Sequence, residues 1–231
     1  PVWNALPKSR NSKLGDMARK LQKFSEGANL STPERYWRWC GYSNETYLKE
    51  LWAGPFNHQK GEEYKRNHLS SIGTTGDMND MLRSDMLLVL PGDMLTKVDM
   101  MSMANSLEVR APFLDVEVVD FAMRLPADYK ISGAGRKRLV QDAFRSMLPE
   151  ELYNRPKHGF EVPLLSWFRN ELNSWIFGEL LSPQVLKEQG LFHLSAIEKL
   201  KKQLHSSDPG DSAAKIWALI VFQSWWKKRM K

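Results

Sequence analysis

Two short stretches of the sequence place charged side chains where chemistry could occur. In the first, Glu108 and Arg110 are separated by a single valine and are followed by the apolar segment Pro112-Phe113-Leu114. A carboxylate can order a nucleophile or accept a proton, and a guanidinium can orient an anionic substrate. In the second, Lys157 lies on a segment flanked by proline and glycine, which favours a loop. On residue types alone, ion pairs that tie helix ends together explain these charges better than catalysis does.

The other charged candidates fit structural roles. Asp115 directly precedes an apolar helical pattern, so a helix N-cap is favoured over catalysis. Lys97 and Asp99 fall within the preceding helical pattern, and Lys137 opens a later helix without an assigned role. The five histidines show no metal-ligand spacing, so a structural zinc site is not expected.

The elements that must position these residues are predicted to be helices. Apolar residues recur at helical spacing along most of the chain, and no convincing alternation typical of a strand is present. We therefore predict a mainly α fold. Helix starts are expected at Ser31, at Asn44 or the serine before it, at Asp115 and at Ser182, and Gly190 is expected to end a helix.

Some segments are expected to interrupt or close this pattern. Residues 53–75 are predicted to be a loop, and Pro91-Gly92 is predicted to break a helix, so that Asp93 caps the next one. Residues 130–136 superficially resemble a phosphate loop, but they lack the G-x-x-x-x-G-K-S/T spacing, so a simple turn is favoured. The last helix, beginning near Asp211, is apolar nearly all round and is predicted to be buried.

Composition limits the classes of protein that this chain can belong to. Its 231 residues suffice for one sizeable domain, and 33 basic against 27 acidic side chains give a formal net charge of +6. This mild excess fits anionic small substrates, and no nucleic-acid reader motif accompanies it. No apolar run approaches the ~18 residues of a membrane span. The single cysteine, Cys40, fits a reducing compartment, so we expect a cytoplasmic protein without a nucleic-acid or membrane partner.

Two motifs, in the same order and at roughly the same spacing, carry a specific resemblance to a known family. The run K-V-D-x-x-S-M-x-x-x-L-E-V-R-x-P-F-L-D, here Lys97 to Asp115, resembles the signature of the synthetase domain of glutamine-hydrolysing asparagine synthetases. The segment Arg155 to Phe160 resembles the R-x-K-x-G-F block of that family, and Val162-Pro163 and Trp167 follow as they do there. Continuous resemblance covers roughly residues 85–180.

The resemblance implies an enzyme that forms a carbon–nitrogen bond. In this family ATP activates the side-chain carboxylate of aspartate as an acyl-adenylate, and ammonia from a separate glutaminase domain then displaces AMP. Glu108 matches the active-site glutamate of the family, and Lys157 matches the lysine that stabilises charge on the phosphates. Arg110 is expected to be structural or to orient the substrate. Mg²⁺ is implied through ATP, with no assignable ligand, and a homodimer is compatible with the family.

The implied fold is the helical C-terminal portion of an α/β synthetase domain of the ATP-pyrophosphatase (adenine nucleotide α-hydrolase-like) type. We assign residues 1–231 to this domain, with 1–75 as a helical and loop lead-in and 76–231 as the helical segment that carries the motifs. The S-G-G-x-D-S pyrophosphate loop of the family is absent, as are its G-E-G-x-D-E and G-G-Y elements and its N-terminal cysteine nucleophile. Since the chain also begins at Pro1, we expect a piece of a longer protein that is inactive alone.

Two alternatives stay open. A paralogue could use the same adenylation for another carboxylate, as a β-lactam synthetase or an amidotransferase of surface-polymer biosynthesis does. In β-lactam synthetases a tyrosine upstream pairs with the matching glutamate. Here no tyrosine lies between Tyr64 and Glu108, which favours ammonia chemistry. The second alternative is a non-catalytic helical interaction module, which the tryptophan-rich N-terminal region and the basic tail at 227–231 favour.

Overall fold

The structure, a computed structural model, describes residues 13–55, 57–70, 72, 77–133, 135–154 and 162–230. It is mostly helical, which confirms the predicted fold class at that level. The chain divides into two compact units. The first comprises the described residues of Pro1–Gly61 and Phe160–Lys231, and the second those of Glu62–Gly159. No described helix combines the length and the apolar character that a membrane span requires.

The regular elements are numbered in chain order. The α-helices are α1 Lys13–Gly27, α2 Thr32–Cys40, α3 Glu45–Leu51, α4 His58–Leu69, α5 Met78–Ser84, α6 Thr96–Met103, α7 Val116–Arg124, α8 Arg138–Ala143, α9 Glu151–Asn154, α10 Leu164–Arg169, α11 Asn173–Trp175, α12 Pro183–Gln189, α13 Leu194–His205 and α14 Ser212–Arg229. The other elements are π-helical Asp85–Leu95 and Ile176–Leu180, 3-10 turns Pro112–Leu114 and Ala127–Tyr129, and strands β1 Ile131–Ser132 and β2 Gly135–Arg136.

The hairpin of β1 and β2 is a small departure from the prediction that the chain contains no strands. Ile131 pairs with Arg136 and Ser132 with Gly135 in antiparallel register. The predicted turn is thus closed by two cross-strand residue pairs. Strands of two residues are too short to show the alternation by which a sequence indicates a strand.

The core of the first unit is built by its C-terminal helices. Side chains from α10 to α14 converge there with Leu51 at the end of α3. Phe168, Ile176, Leu204 and Ile216 are completely shielded from solvent, with exposed fractions of 0%. Burying a large apolar side chain stabilises a fold by about 1.5–3 kcal/mol relative to leaving it exposed. This cluster therefore dominates the stability of the first unit.

Helix ends in this unit follow the predicted capping chemistry at most positions. The side chains of Asn44 and Ser182 each accept a hydrogen bond from the backbone N–H three residues later, at 2.9 and 3.3 Å. Gly190 ends α12 in the left-handed conformation, with φ of 64°. Ser31 does begin α2, but its hydroxyl donates to the carboxylate of Glu34 instead of capping a backbone amide.

The loop predicted for residues 53–75 is wrong over much of its length, because α4 lies within it. The side chain of Asn57 accepts a hydrogen bond from the N–H of Lys60 at 3.1 Å and so caps the start of this helix. The charged residues that follow are good helix formers despite their lack of an apolar stripe. Periodicity alone therefore missed a helix that propensity and capping support.

The predicted break at Pro91 is also wrong. The chain stays helical from α5 through the π-helical segment Asp85–Leu95 into α6, so Asp93 lies inside a helix and does not cap one. The wider turn of a π-helix accommodates a residue that lacks an N–H. The Pro91 carbonyl accepts a hydrogen bond from the hydroxyl of Thr96 at 2.7 Å.

The prediction that α14 is buried all round holds for one side of the helix only. Ile216, Leu219 and Ile220 lie in the core, whereas Trp217 and Trp225 are each 50% exposed. Apolar composition identifies a helix that could be buried, but it does not say which sides a neighbouring element covers.

The second unit shields few side chains from solvent. Within its described part, Ile72 and Ser84 alone are buried. Asn79 supports the packing of this unit by donating from Nδ2 to the carbonyl of Leu125 at 3.1 Å and accepting from Lys130 Nζ at 2.6 Å. The segment that carries Glu108 and Arg110 belongs to this sparsely buried unit.

Candidate active site

Glu108 and Arg110 lie on the short connection that follows α6. The helix ends in a tight turn in which Ser106 adopts the left-handed conformation, with φ of 57°. The backbone N–H of Leu107 donates to the carbonyl of Ser102 at 2.9 Å, which closes the turn. The chain then runs without regular secondary structure through Glu108 and Arg110 to the 3-10 turn. The helix α6 ends at Met103, before the proline of this motif at position 112.

The guanidinium of Arg110 forms an ion pair with the carboxylate of Glu108, from Nη2 to Oε1. The Arg110 side chain is 85% exposed and that of Glu108 is 66% exposed. Solvent-exposed ion pairs contribute at most about 1 kcal/mol to folding. Both groups can therefore exchange this contact for a ligand at little energetic cost.

This arrangement can serve acyl-transfer chemistry in two ways. A carboxylate at Glu108 can hydrogen-bond an incoming amine and accept its proton, and the planar guanidinium of Arg110 can bind a carboxylate through two parallel hydrogen bonds. The two side chains contact each other, so a substrate held by one lies within reach of the other.

The neighbouring charged residues have the structural roles expected from the sequence or local partners of their own. The carboxylate of Asp115 accepts a hydrogen bond from the N–H of Glu117 at 2.9 Å and caps α7, which confirms the predicted N-cap. Lys97 pairs with Asp93 one helical turn earlier, at 3.5 Å. Lys137 precedes α8 in the left-handed conformation, with φ of 59°, and its role stays unassigned.

Lys157, the second predicted catalytic residue, lies outside the described residues, so its role stays a prediction. Of the predicted site residues, the structure brings together Glu108 and Arg110. Among the residues that the structure describes, no group of three or more His, Cys, Asp or Glu side chains could hold a metal ion.

Sequence reasoning missed a charged cluster in the first unit. The ammonium of Lys215 lies 4.0 Å from the centre of the Tyr47 ring, a cation–π contact between α14 and α3. Burial raises the pKa of Tyr47 to about 12, and the charge of Glu50 acts in the same direction. Burial lowers the pKa of Lys215, and Asp211 opposes that effect. The hydroxyl of Tyr47 is buried and has no hydrogen-bond partner among the described residues.

This cluster has no motif from which the sequence could have revealed it. The spacing of Tyr47 and Glu50 places both on one side of α3. Lys215, however, comes from a helix far along the chain, and only the packed structure shows that the two helices meet. Tyrosine, glutamate and lysine are also common residue types on helix surfaces, so the three residues Tyr47, Glu50 and Lys215 do not stand out in the sequence.

Comparison with known proteins places the motifs of this chain in context. The sequence model described as asparagine synthase matches residues 2–227. Asparagine synthetase [glutamine-hydrolyzing] 1 of Bacillus subtilis is 34% identical over 160 residues, which cover 69% of this chain and 25% of that protein. A putative asparagine synthetase [glutamine-hydrolyzing] of Mycobacterium tuberculosis is 29% identical over 230 residues, covering 96% of this chain and 35% of that protein.

A mammalian relative matches a shorter stretch. The mouse asparagine synthetase [glutamine-hydrolyzing] is 34% identical over 80 residues, or 32% of this chain and 14% of that protein. The bacterial matches show that the chain spans between a quarter and about a third of the length of these curated relatives. No solved structure gave a significant match.

Proposed function

Because this chain belongs to the asparagine synthase family, we propose that it forms part of the synthetase region of an ATP-dependent asparagine synthetase. The proposed reaction has two steps. Transfer of AMP from ATP activates the side-chain carboxylate of aspartate and releases pyrophosphate. Ammonia then attacks the activated carbonyl, loses a proton, and expels AMP to leave asparagine.

Glu108 acts in the second step of this proposal. Ammonia that has attacked the carbonyl carries an extra proton, which must leave before a stable amide can form. The Glu108 carboxylate orders the ammonia and accepts that proton. Its observed exposure and its position in an irregular segment support this role, since no helix or core contact occupies its oxygens.

In this proposal, Arg110 and Lys157 bind the negatively charged groups of the two substrates. Arg110 holds a carboxylate of aspartate in line with Glu108, and the ion pair between the two side chains supports this placement. Lys157 stabilises the charge that develops on the phosphates during adenylation. In the same proposal, Mg²⁺ accompanies ATP, a glutaminase domain supplies the ammonia, and the enzyme works in the cytoplasm, where the thiol of the single cysteine, Cys40, stays reduced.

The match of the family model over residues 2–227 carries this proposal, because that stretch contains Glu108, Arg110 and Lys157 in family motifs. The pyrophosphate loop S-G-G-x-D-S is absent from the sequence. We therefore expect that this chain by itself makes no asparagine and that a complementary part must supply phosphate binding.

A chimaera tests the proposal. In it, the matched segment of the Bacillus subtilis relative is replaced by the corresponding segment of this chain, and the product is called the chimaera below. We expect asparagine and pyrophosphate from ATP, aspartate and ammonia. The chain alone serves as the control and should form neither product.

Substrate competition separates this proposal from its rivals. A chimaera that releases pyrophosphate only with another carboxylic acid would assign the chain to a paralogous amidotransferase or a β-lactam synthetase-like enzyme. A folded chimaera that releases no pyrophosphate, whichever carboxylic acid is added, would favour the non-catalytic helical module. Asparagine formation by the isolated chain would contradict the expectation that a complementary part is needed.

A further inference from the structure

One side of α14 presents a row of large apolar side chains to solvent. Trp217, Val221 and Trp225 are spaced four residues apart, so they lie along one face of the helix, and they are 50%, 51% and 50% exposed. Ile216 and Ile220, on the other side of the same helix, lie in the core of the first unit. We call Trp217, Val221 and Trp225 the α14 stripe. Two half-exposed tryptophans in one row are typical of an interaction site.

The ring of Trp225 is already held in place by its neighbours. Its centroid lies 5.8 Å from that of Phe222 and 6.3 Å from that of Trp226. Phe222 in turn packs edge-on against Phe192, a core residue, with the centroids 5.3 Å apart. Side chains that are ordered in advance lose less conformational entropy when a partner binds. Trp225 is therefore a preorganised anchor at the end of the stripe.

Charges of opposite sign lie at the two ends of α14. Asp208 and Asp211 precede the helix, whereas Lys227, Lys228 and Arg229 form its last turn. The 18 residues of the helix separate these ends by about 27 Å, well beyond the Debye length at physiological salt. A partner must therefore complement each end separately.

This charge pattern distinguishes between the possible occupants of the stripe. An anionic membrane surface or an acidic polypeptide would attract the basic end of α14, but it would repel the carboxylates at the other end. Two copies of α14 in parallel would bring like charges together at both ends. Two antiparallel copies instead place the acidic end of each helix beside the basic end of the other, with the apolar stripes between them.

We propose that the α14 stripe binds the same stripe of a second copy of this chain, with the two helices antiparallel. The inference goes beyond the proposed function and does not depend on it. A twofold axis at Val221 places Trp217 of each copy level with Trp225 of the other, because both tryptophans lie four residues from the axis. The same register brings Lys228 within about one helical turn of Asp211 of the partner subunit.

Sedimentation equilibrium of the full chain measures this association. One pair of helices forms a small interface, so we expect a monomer–dimer equilibrium with a dissociation constant of about 10–100 µM. Val221→Glu should weaken the dimer by about tenfold or more, since two carboxylates would face each other at the axis. The control is Val140→Glu, which makes the same change at another exposed helix position, on α8, and should have no effect. Circular dichroism checks that both variants fold.

Thiol cross-linking tests the orientation of the helices. In a Cys40→Ser background, oxidation should join two copies of Val221→Cys, because a disulfide requires Cα atoms within about 7 Å. Val140→Cys, the control, should stay monomeric. Ala214→Cys and Lys228→Cys lie seven residues on either side of the axis, so an antiparallel pair should cross-link a mixture of these two variants. A parallel pair would instead cross-link each of them with itself.

Each outcome decides the inference. A chain that stays monomeric from about 1 µM to 1 mM and does not cross-link through Val221→Cys would overturn it. A dimer that tolerates Val221→Glu, or that cross-links in the parallel pattern, would overturn it as well. Tryptophan emission that shifts to the blue with phosphatidylserine-containing vesicles, in a chain that does not dimerise, would assign the stripe to a membrane surface.

The chimaera distinguishes one more occupant. Its Val221→Cys variant should cross-link as the chain does, whether or not the chimaera makes asparagine. A chimaera in which this thiol neither cross-links nor reacts with a thiol reagent would show that the rest of the longer protein covers the stripe, and the proposal would be wrong.

Discussion

Arg110 and Glu108 contact each other through a guanidinium–carboxylate ion pair that lies on the surface of the second unit. Both side chains are more than half exposed, so the pair adds little to folding stability. An exposed ion pair that follows the C-terminal turn of a helix is better placed to bind a ligand than to stabilise the fold.

Replacing Arg110 should impair substrate binding more than stability. In the chimaera, Arg110→Met should raise the KM for aspartate by about tenfold or more, because a bidentate contact to a carboxylate is lost. Arg110→Lys should show a smaller rise in KM, since an ammonium restores the charge but not the two parallel hydrogen bonds. The free energy of unfolding should change by less than about 0.5 kcal/mol. Steady-state kinetics and urea denaturation measure the two effects.

The control for this prediction is Arg145→Met. Arg145 forms a comparable exposed ion pair, with Asp142 at 3.5 Å, on the short helix α8 and the turn after it. Its replacement should leave the KM for aspartate unchanged. Equal effects of the Arg110 and Arg145 substitutions would show that Arg110 has no special relation to the substrate.

Asp115 should act through stability alone. Asp115→Ala in the chimaera should lower the free energy of unfolding by about 1 kcal/mol, because the N–H of Glu117 loses its acceptor at the start of α7. Asp115→Asn keeps an acceptor oxygen and should be nearly neutral. A chimaera that stays fully stable with Asp115→Asn yet loses activity would instead assign the carboxylate a role in catalysis.

Tyr47 should lower the folding stability of the chain at alkaline pH. Folding raises its pKa from 10.0 to about 12, so the native state favours the neutral phenol. The contribution of the neutral Tyr47 phenol to the free energy of unfolding is complete below pH 10.0. It is lost as the pH rises toward about 12. Ultraviolet difference titration of the chain against Tyr47→Phe should reveal one tyrosine that ionises late.

The same substitution has a second consequence near neutral pH. Tyr47→Phe removes a buried hydroxyl without a hydrogen-bond partner among the described residues but keeps the ring under Lys215, so stability should rise by about 1 kcal/mol. Tyr129→Phe, at a position that is 52% exposed, is the control and should be neutral. A loss of stability with Tyr47→Phe would mean that the hydroxyl is hydrogen-bonded in solution.

Leu204 should be among the most sensitive positions of the first unit. Its exposed fraction is 0%, and Leu204→Ala should cost about 2–5 kcal/mol, because it removes buried methyl groups and leaves a cavity. Leu48→Ala, on the exposed side of α3, should cost far less. Urea denaturation of the full chain measures both, and similar costs would show that the C-terminal helices do not form the core.

Local chemistry made several features predictable from the sequence. The caps at Asn44, Asp115 and Ser182 and the left-handed end at Gly190 depend on one or two neighbouring residues, so a short window is enough to identify them. The family motif around Glu108 is likewise contiguous. The structural role of a side chain can be predicted from the sequence when that role depends only on the adjacent residues.

Features that depend on packing were not predictable in this way. The helix through Pro91 survives because a π-helical turn absorbs the proline, and no local pattern distinguishes that outcome from a break. The exposed sides of α14, at Trp217 and Trp225, depend on where neighbouring helices lie. The cation–π contact of Lys215 with Tyr47 joins residues far apart in sequence, so it required the folded structure.

The role of Glu108 in amide formation can be measured through asparagine formation by the chimaera carrying Glu108→Gln. Glu117→Gln, which also removes an exposed carboxylate and lies in the same unit of the structure, is the matched control. We expect Glu108→Gln to lower kcat by about 10²–10⁴-fold with unchanged stability, and Glu117→Gln to leave kcat near that of the parent. Near-parental kcat for both variants would contradict a catalytic role and leave Glu108 as a surface ion-pair partner of Arg110.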